Sequence, residues 1–229
     1  MYIFGAEDLM TALGLTAADW EIQSADTDRQ QDWAGTESNV GAHIAAAEVS
    51  HNDRSDISVE LKLKNPAGSS VAFTLGGIGT GAATEAIVVT AYTAKEVYND
   101  NGTLSLTAHR HETVEDVDGH VAAHMATPVS QAVALELGFG ITEVLLGGAL
   151  KNCQSKEVSA SVKHDDKFSN RGRFLTGNST GLRYECTEEY VDEGAITVPA
   201  PWKQDSQPKK TSKDGLVTRS VKAHAFSLA

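Results

Sequence analysis

The sequence contains few of the residues on which redox, thiolate-metal and membrane chemistry depend. Only two of its 229 residues are cysteines, Cys153 and Cys186, and neither belongs to a Cys-x-x-Cys pair. Two thiols cannot form a disulfide framework, so we expect both to be reduced and partly buried. No segment approaches the roughly 20 apolar residues of a membrane-spanning helix, and the acidic start of the chain lacks the basic leader of a signal peptide. We therefore expect no membrane span.

Basic residues and aromatic residues are also scarce. Lysine and arginine together number 19 against 31 acidic residues, which gives a formal net charge of −12. A protein that binds nucleic acid through its phosphates needs the opposite sign, so this charge argues against DNA-binding or RNA-binding activity. Aromatic residues make up 6% of the chain, which also has 20 glycines. This mixture favours short strands and many turns over a large helical core.

Signatures of nucleophilic and phosphate chemistry are missing. The pattern Gly-x-Ser-x-Gly occurs at 177–181, but a strand and not a helix is predicted after it, so it lacks the strand-turn-helix context of a nucleophile elbow. The glycine-rich stretch 75–84 is not followed by the Lys-Ser/Thr of a phosphate-binding loop. Acidic residues are scattered through predicted loops, and their spacing does not select a catalytic pair. We therefore predict a protein that is not an enzyme and has no cofactor.

The histidines are the only residues whose spacing resembles a metal site. His120 and His124 are four residues apart but lack the glutamate of a zinc-protease helix. His109 and His111 are two apart, as on one face of a strand, and could share a metal with Asp165 or Asp166. The simpler interpretation, which we favour, is that these are solvated histidines at strand ends, so we predict no metal.

Alternation of apolar and polar residues dominates the segment 56–75, "DISVELKLKNPAGSSVAFTL". Ile57 begins an apolar series at every second residue, and Val71 begins another after the turn Asn65–Gly68. Asn at the first position, Pro at the second and Gly at the fourth are typical of a type I turn. The pattern predicts a long amphipathic hairpin over 57–75.

Other patterns predict a mainly β chain with one or two short helices. An Asn-Gly turn at 99–102 joins strands at 85–98 and 103–112, and further strands are predicted at 157–164, 181–191 and 216–226. A helix is predicted at 6–13 and another at 128–137, although "AVALEL" also reads as a strand. Weaker interpretations are an extended loop at 24–39, an edge strand at 42–51 and a strand at 141–146. We expect one β-sandwich or barrel-like domain over 1–229, with an N-terminal extension over about 1–50 and a polar arm at 198–215.

The last third of the chain carries a resemblance to a known class of proteins. The stretch "VSASVKHDDKFSNRGRFLTGNSTGLRYECTEEYV" is followed by the linker "APWKQDSQPKKTSKDG" and the closing strand "LVTRSVKAHAF". In strand pattern and order, together with the hairpin at 57–75, this resembles virion structural proteins of tailed phages, in particular tail-tube proteins. The resemblance does not extend to the first 50 residues.

The resemblance implies a structural protein whose copies form stacked rings, with hexamers expected. Such rings conduct DNA without binding it specifically, contact other tail proteins, and belong to a virion assembled in the host cytoplasm. The helix predicted at 128–137 would correspond to the single helix beside the sheet in such proteins, and the polar arm would suit contacts between rings. The residues that we expect at a subunit interface or a lumen are charged side chains of three segments and one tryptophan: Glu60, Lys62, Lys64, Arg171, Arg173, Arg183, Trp202, Lys209 and Lys210.

Two other functions compete with this hypothesis. A carbohydrate- or surface-binding β-sandwich could use Trp20, Trp33 or Trp202 as a sugar platform, although partial burial of these rings is the simpler expectation. A histidine-ligated metalloenzyme is the third hypothesis. For the arginines at 171, 173 and 183, surface ion pairs and charge matching between subunits are both open.

Overall fold

The computed structural model describes residues 10, 15–34, 49–73, 75, 78–80, 86–111, 133–147, 152–169, 173–191 and 194–226. These residues form twelve strands, and every pairing between them is antiparallel. The strands are β1 (Trp20–Ala34), β2 (Val49–Leu63), β3 (Ser69–Phe73), β4 (Ile78–Thr80), β5 (Ala86–Val97), β6 (Thr103–His111), β7 (Val133–Leu137), β8 (Cys153–Phe168), β9 (Phe174–Val191), β10 (Lys203–Ser206), β11 (Lys209–Thr211) and β12 (Val217–Ala225).

Ten of the strands form one large sheet. Its order is β1-β2-β6-β5-β8-β9-β12-β10, with β11 also paired to β12 and β4 to β5, while β3 and β7 form a separate two-stranded sheet. The predicted mainly β fold is confirmed, and a broad sheet with one buried face agrees with a β-sandwich or barrel-like architecture. Among the described residues, no helix is long and apolar enough to cross a membrane.

Apolar side chains at every second position bury one face of the large sheet. In one row of directly paired residues, Leu61, Leu104, Ala94, Val158 and Cys186 lie side by side on five neighbouring strands, and all are buried. Residues that oppose each other across a ladder lie on the same face, so a period of two on each strand produces a continuous apolar layer. Residues of the small sheet join the same core, as the burial of Val71, Leu135 and Leu137 indicates.

The predicted hairpin at 57–75 is correct in its strands and its turn but wrong in its pairing. The amide of Gly68 donates to the carbonyl of Asn65 over 3.1 Å, and the Asn65 side chain accepts from the amide of Ala67, as expected for this turn. However, β2 pairs with β1 and β6, while β3 pairs with β7. The turn therefore carries the chain from the large sheet to the small one.

Several other predictions need correction. The segment 24–39 was expected to be a loop, but most of it belongs to β1. The helix at 128–137 is wrong for its described part, because Val133–Leu137 is strand β7, as the alternative interpretation of "AVALEL" holds. Residues 141–146 are irregular and not a strand. The helix at 6–13, apart from residue 10, and residues 42–48 of the predicted edge strand lie outside the described residues.

Three charged side chains lie in the buried layer of the sheet. Glu96, Lys156 and Glu188 oppose each other on β5, β8 and β9 and are at most 2% exposed. Lys156 Nζ lies 2.6 Å from Glu96 Oε2. Since an unpaired charge in a protein interior is strongly unfavourable, the lysine between two carboxylates makes their burial possible.

The two buried glutamates hold the segment 138–147 against the sheet. Glu96 Oε1 accepts hydrogen bonds from the Thr142 hydroxyl at 2.7 Å and the Gly138 amide at 3.3 Å. Glu188 accepts from the amides of Leu145 and Leu146, at 2.6 and 2.9 Å, and from the Tyr190 hydroxyl. The carboxylates thus satisfy backbone donors of an irregular segment that packs on the core.

Both cysteines lie beside this charged group, and both are free and buried, as predicted. Burial and the nearby Glu188 carboxylate raise the pKa of Cys153 to about 12. The same two causes raise the pKa of Cys186 well above its ordinary value. Because the thiolate is the reactive form of cysteine, both residues are unreactive at neutral pH.

Candidate assembly surfaces

The face of the large sheet opposite the core is polar over its whole width. Glu60, Ser105, Thr93, Ser159 and Glu185 oppose each other in one row across β2, β6, β5, β8 and β9. A second row contains Lys62, Thr103, Lys95, Glu157, Thr187 and Lys222. Side chains of these rows are exposed or half-buried. We call this surface the polar face.

From β2 to β12, charges on the two rows and on the neighbouring outward positions of the same strands balance. The cationic side chains are Lys62, Lys95, Arg183 and Lys222, and the anionic ones are Glu60, Glu157, Glu185 and Glu189. The excess of acid in the whole chain is therefore not concentrated on this part of the surface. Three of the cations lie in ion pairs: Lys62 with Asp100 at 2.8 Å, and Arg183 and Lys222 with Glu185 at 2.9 and 3.2 Å. Such paired cations attract phosphates less than free ones do.

One edge of the large sheet, β1, is acidic. Among the described strands it pairs only with β2. From Gln23 to Gln30 every residue is exposed, including those that oppose the core positions of β2, so this strand extends past the covered part of the core. Glu21, Asp26 and Asp28 outnumber Arg29, which leaves a net charge of −2 on the exposed charged residues 21–29. We call β1 the acidic edge.

The opposite edge is basic and consists of β10 and β11, which lie one after the other along β12. All seven of their residues are exposed, and Lys203, Lys209 and Lys210 outnumber Asp205. The carboxylate of Asp205 is 2.7 Å from His224 on β12, so it is already engaged within the subunit. These strands supply seven of the 18 residues of the predicted polar arm 198–215 and lie on the surface, although Trp202 of the same arm is buried. We call β10 and β11 the basic edge.

The two edges have the geometry needed to continue one sheet from copy to copy. The path from β1 to β10 contains eight strands, and each is antiparallel to the next. With an even number of strands, the first and the last run in opposite directions. When a rotation about an axis along the strands relates two copies, β10 of one copy is therefore antiparallel to β1 of the next. Antiparallel pairing needs no crossover and leaves no open edge once a ring has closed.

The predicted interface residues are distributed over these surfaces. Glu60 and Lys62 lie on the polar face with Arg183, and Lys209 and Lys210 lie on the basic edge. Lys64 follows β2 and donates to the carbonyl of Ala17. Arg173 is exposed beside the turn between β8 and β9, and Arg171 lies outside the described residues.

Two of the three tryptophans are not placed as the competing sugar-platform hypothesis requires. Trp202, one of the expected interface residues, is only 8% exposed, and Trp20 is only 2% exposed. Both rings belong to the hydrophobic core of the subunit. The side chain of Trp33 is not among those that the structure describes. A flat aromatic surface open to a sugar therefore cannot be built from Trp20 and Trp202 as they are placed here.

The structure brings together part of the histidine set that the sequence analysis considered. His109, His111 and Asp166 meet, and His164 joins them, whereas Asp165 is exposed and pairs with Lys167 at 2.6 Å. The expectation of solvated histidines is wrong for these positions, because the side chains of His111 and His164 are at most 1% exposed. Within the described part of the chain, no group of three or more His, Cys, Asp or Glu residues is arranged to hold a metal ion. His120 and His124 lie outside it.

The sequence contains a signal for the buried charges in the alternation of its strands. Glu96 follows Tyr92 and Ala94 at a spacing of two, Lys156 precedes Val158 and Ala160, and Glu188 lies between the buried Cys186 and Tyr190. Each charge therefore occupies an inward position of an alternating strand. Opposite charges at inward positions of different strands predict a buried ion pair.

Comparison with known proteins gives no match to a protein-family model and none to a curated protein.

Proposed function

We propose that this chain is a non-enzymatic structural protein that assembles into stacked rings, as in the tail tube of a phage. The observation that carries the proposal is the pair of oppositely charged, oppositely directed edges at the two ends of one sheet. An exposed edge invites pairing with another chain, and a charge of opposite sign selects which edge it meets. Copies related by rotation then join head to tail, which is the type of contact that closes rings.

The polar face is proposed to become the wall of a channel through which DNA passes. Its rows are rich in serine, threonine and balanced charges, and three of its cations are already paired. A wall of this kind offers phosphates few unpaired cations, so DNA can slide without specific binding. In this proposal a ring contains six copies, other tail proteins contact the terminal rings, and the protein belongs to a virion.

Assembly should be visible directly in the purified protein. Sedimentation velocity at rising protein concentration is expected to show a transition from monomer to one defined ring species. Negative-stain images of that species should show rings or short tubes, and class averages should give the number of copies. Because the edges carry opposite charges, raising the salt concentration from about 0.05 M to about 1 M should weaken assembly. A protein that stays monomeric at every concentration and at low salt would refute the proposal.

A further inference from the structure

The hairpin of β8 and β9 extends beyond the strand on which it is built. Pairing between β8 and β5 reaches Ser161, whereas pairing between β8 and β9 continues to Phe168 and Phe174. We call residues 163–168 and 174–180 the hairpin tip. An isolated two-stranded ribbon is only marginally stable, so the tip needs contacts from elsewhere.

Asp166 supplies these contacts at the centre of a buried cluster. Its Oδ1 lies 3.2 Å from His111 Nε2 and 3.1 Å from His164 Nε2, and its Oδ2 lies 3.2 Å from Arg54 Nη1. His109 Nδ1 is 3.9 Å from Oδ2. Arg54 is on β2 and His109 and His111 are on β6, so the tip reaches past β5 to two strands with which β8 does not pair. The Asp166 side chain is only 5% exposed.

Close packing surrounds this carboxylate. The His111 ring stacks on Phe174 with centroids 4.0 Å apart and meets the edge of Phe168 at 5.9 Å. His164 lies where a side chain on Gly177 would be, since a Cβ there would come within 2.2 Å of Nε2. The other ring nitrogen of His164, Nδ1, is 2.6 Å from the Ser179 hydroxyl. The tip is therefore docked by aromatic packing and by ionisable groups together.

With neutral imidazoles the cluster carries a net negative charge that about one additional proton neutralises. The titratable and charged groups in contact within it are Arg54 and Asp56 from β2, His109 and His111 from β6, and His164 and Asp166 from β8. On β1 the neutral Gln30 contacts Asp56 and the exposed Asp28 opposes Asp56 across the ladder, and β9 contributes Ser179. With neutral imidazoles the net charge of the groups in contact is −1. A proton on one imidazole balances it, and a second or third would make a buried site positive.

The pKa shifts of His109 and Asp166 also favour release of the tip at low pH. Burial and the Arg54 guanidinium lower the pKa of His109 below its ordinary value of 6.5. Burial disfavours the ionised Asp166, but the adjacent His111 and His164 imidazoles outweigh burial and hold the pKa of Asp166 far below its ordinary value. Both groups bind protons more readily in the undocked state. The stability they contribute is therefore present at neutral pH and is lost as the pH falls, first through the ordinary range of histidine.

We propose that the hairpin tip is a pH-sensitive latch, which is docked on β2 and β6 at neutral pH and released in mild acid when more than one imidazole of the cluster is protonated. The buried cluster of three histidines around one arginine-paired aspartate carries this inference. The latch belongs to the single subunit and does not depend on assembly. Histidine is the side chain whose protonation changes in this pH range, so this cluster can act without other cofactors.

Hydrogen exchange of the full chain tests the latch. Between about pH 7.5 and about pH 5, after correction for intrinsic rates, amides of the tip should lose protection about tenfold or more, while amides of residues 156–161 keep theirs. His109→Gln removes a proton-accepting group and should move the midpoint of the loss to lower pH. Asp166→Asn removes the central negative charge and should move it to higher pH. Lys167→Gln changes an exposed charge on the same tip and should leave the midpoint unchanged.

Equal protection of the wild-type tip at both pH values would overturn the proposal. So would shifts of the two cluster variants in the same direction, or a Lys167→Gln shift as large as theirs. Protection of residues 156–161 reports whether each variant is folded. If Asp166→Asn does not fold, the comparison of His109→Gln with Lys167→Gln still decides the result.

Discussion

Replacing Lys156 by methionine is expected to lower the free energy of unfolding by about 3–5 kcal/mol. The substitution leaves Glu96 buried without the Lys156 ammonium, which is 2.6 Å from it, and removes the cation that opposes Glu188 across the ladder. The two carboxylates must then repel each other, take up protons or rotate away from the segment 138–147 that they hold. Denaturant unfolding of the variant and the wild type measures the difference.

Two controls separate loss of the ion pairs from loss of lysine as such. Lys163→Met lies on the same strand but on an exposed position, and we expect a change within about 0.5 kcal/mol. The triple variant Glu96→Gln, Lys156→Met, Glu188→Gln removes all three charges and should recover part of the loss, because neutral amides still accept hydrogen bonds from the segment 138–147. A loss below about 1 kcal/mol for Lys156→Met would show that the buried ion pair does not stabilise the fold.

Reversing the charge of one edge is expected to abolish assembly, and reversing both edges is expected to restore it. Lys203 is level with Ser24 in the ladder register, between Glu21 and Asp26, and Lys209 lies further toward the Trp20 end. Lys203→Glu with Lys209→Glu therefore places two acids along the acidic edge of the next copy, and like charges brought together at an interface cost several kcal/mol. We therefore expect the concentration needed for assembly to rise about 100-fold or more. Adding Glu21→Lys and Asp26→Lys to the same chain recreates opposite charges and should return that concentration to within about tenfold of the wild type.

A matched control tests whether position or net charge is responsible. Lys163→Glu with Lys167→Glu changes the net charge by the same amount as the basic-edge variant, but at exposed residues away from both edges. This control should assemble as the wild type does. Equal loss of assembly in the control and the basic-edge variant would mean that net charge, and not edge matching, governs association. Failure of the four-residue swap to restore assembly would also contradict the edge model.

Turns and individual strands could be predicted from the sequence, whereas the pairing of one strand with another could not. The turn at Asn65–Gly68 follows from its own residues, and so does the hairpin around Asn101-Gly102. The pairing of β3 with β7 instead of β2 depends on residues 60 to 68 positions away in the chain. A turn motif fixes how the backbone bends, but the strand that follows pairs wherever its apolar face is best covered.

Strand β1 was missed because it lacks the pattern that identifies a half-buried strand. From Gln23 to Gln30 its side chains are exposed on both faces, so no apolar alternation exists to detect. Its ladder to β2 supplies the structure through backbone hydrogen bonds, which the sequence does not record. The same polarity that hid this strand makes it an acidic edge, and so the sequence alone could not reveal that the two edges carry opposite charges.

The histidine cluster was only partly predictable for a similar reason. His109 and His111 were recognised as neighbours on one strand, and Asp166 as a possible partner, because spacing within a strand is visible in the sequence. Their burial and the arrival of Arg54 from β2 depend on how far the β8–β9 hairpin extends past β5. Strand length is set by pairing, and pairing across the sheet is not a local property.

The central claim, that the acidic edge of one copy meets the basic edge of the next, is tested most directly by cross-linking two single-cysteine variants. Asp26→Cys and Lys203→Cys each add one exposed thiol at nearly the same height along the strands, while Cys153 and Cys186 are buried and serve as unreactive background in the wild type. The variants are mixed, allowed to assemble and treated with a short bifunctional maleimide. We predict covalent dimers that contain one copy of each variant and appear only in the mixture. Dimers in either variant alone would mean that like edges meet, and assembly without mixed dimers would mean that the two edges do not meet.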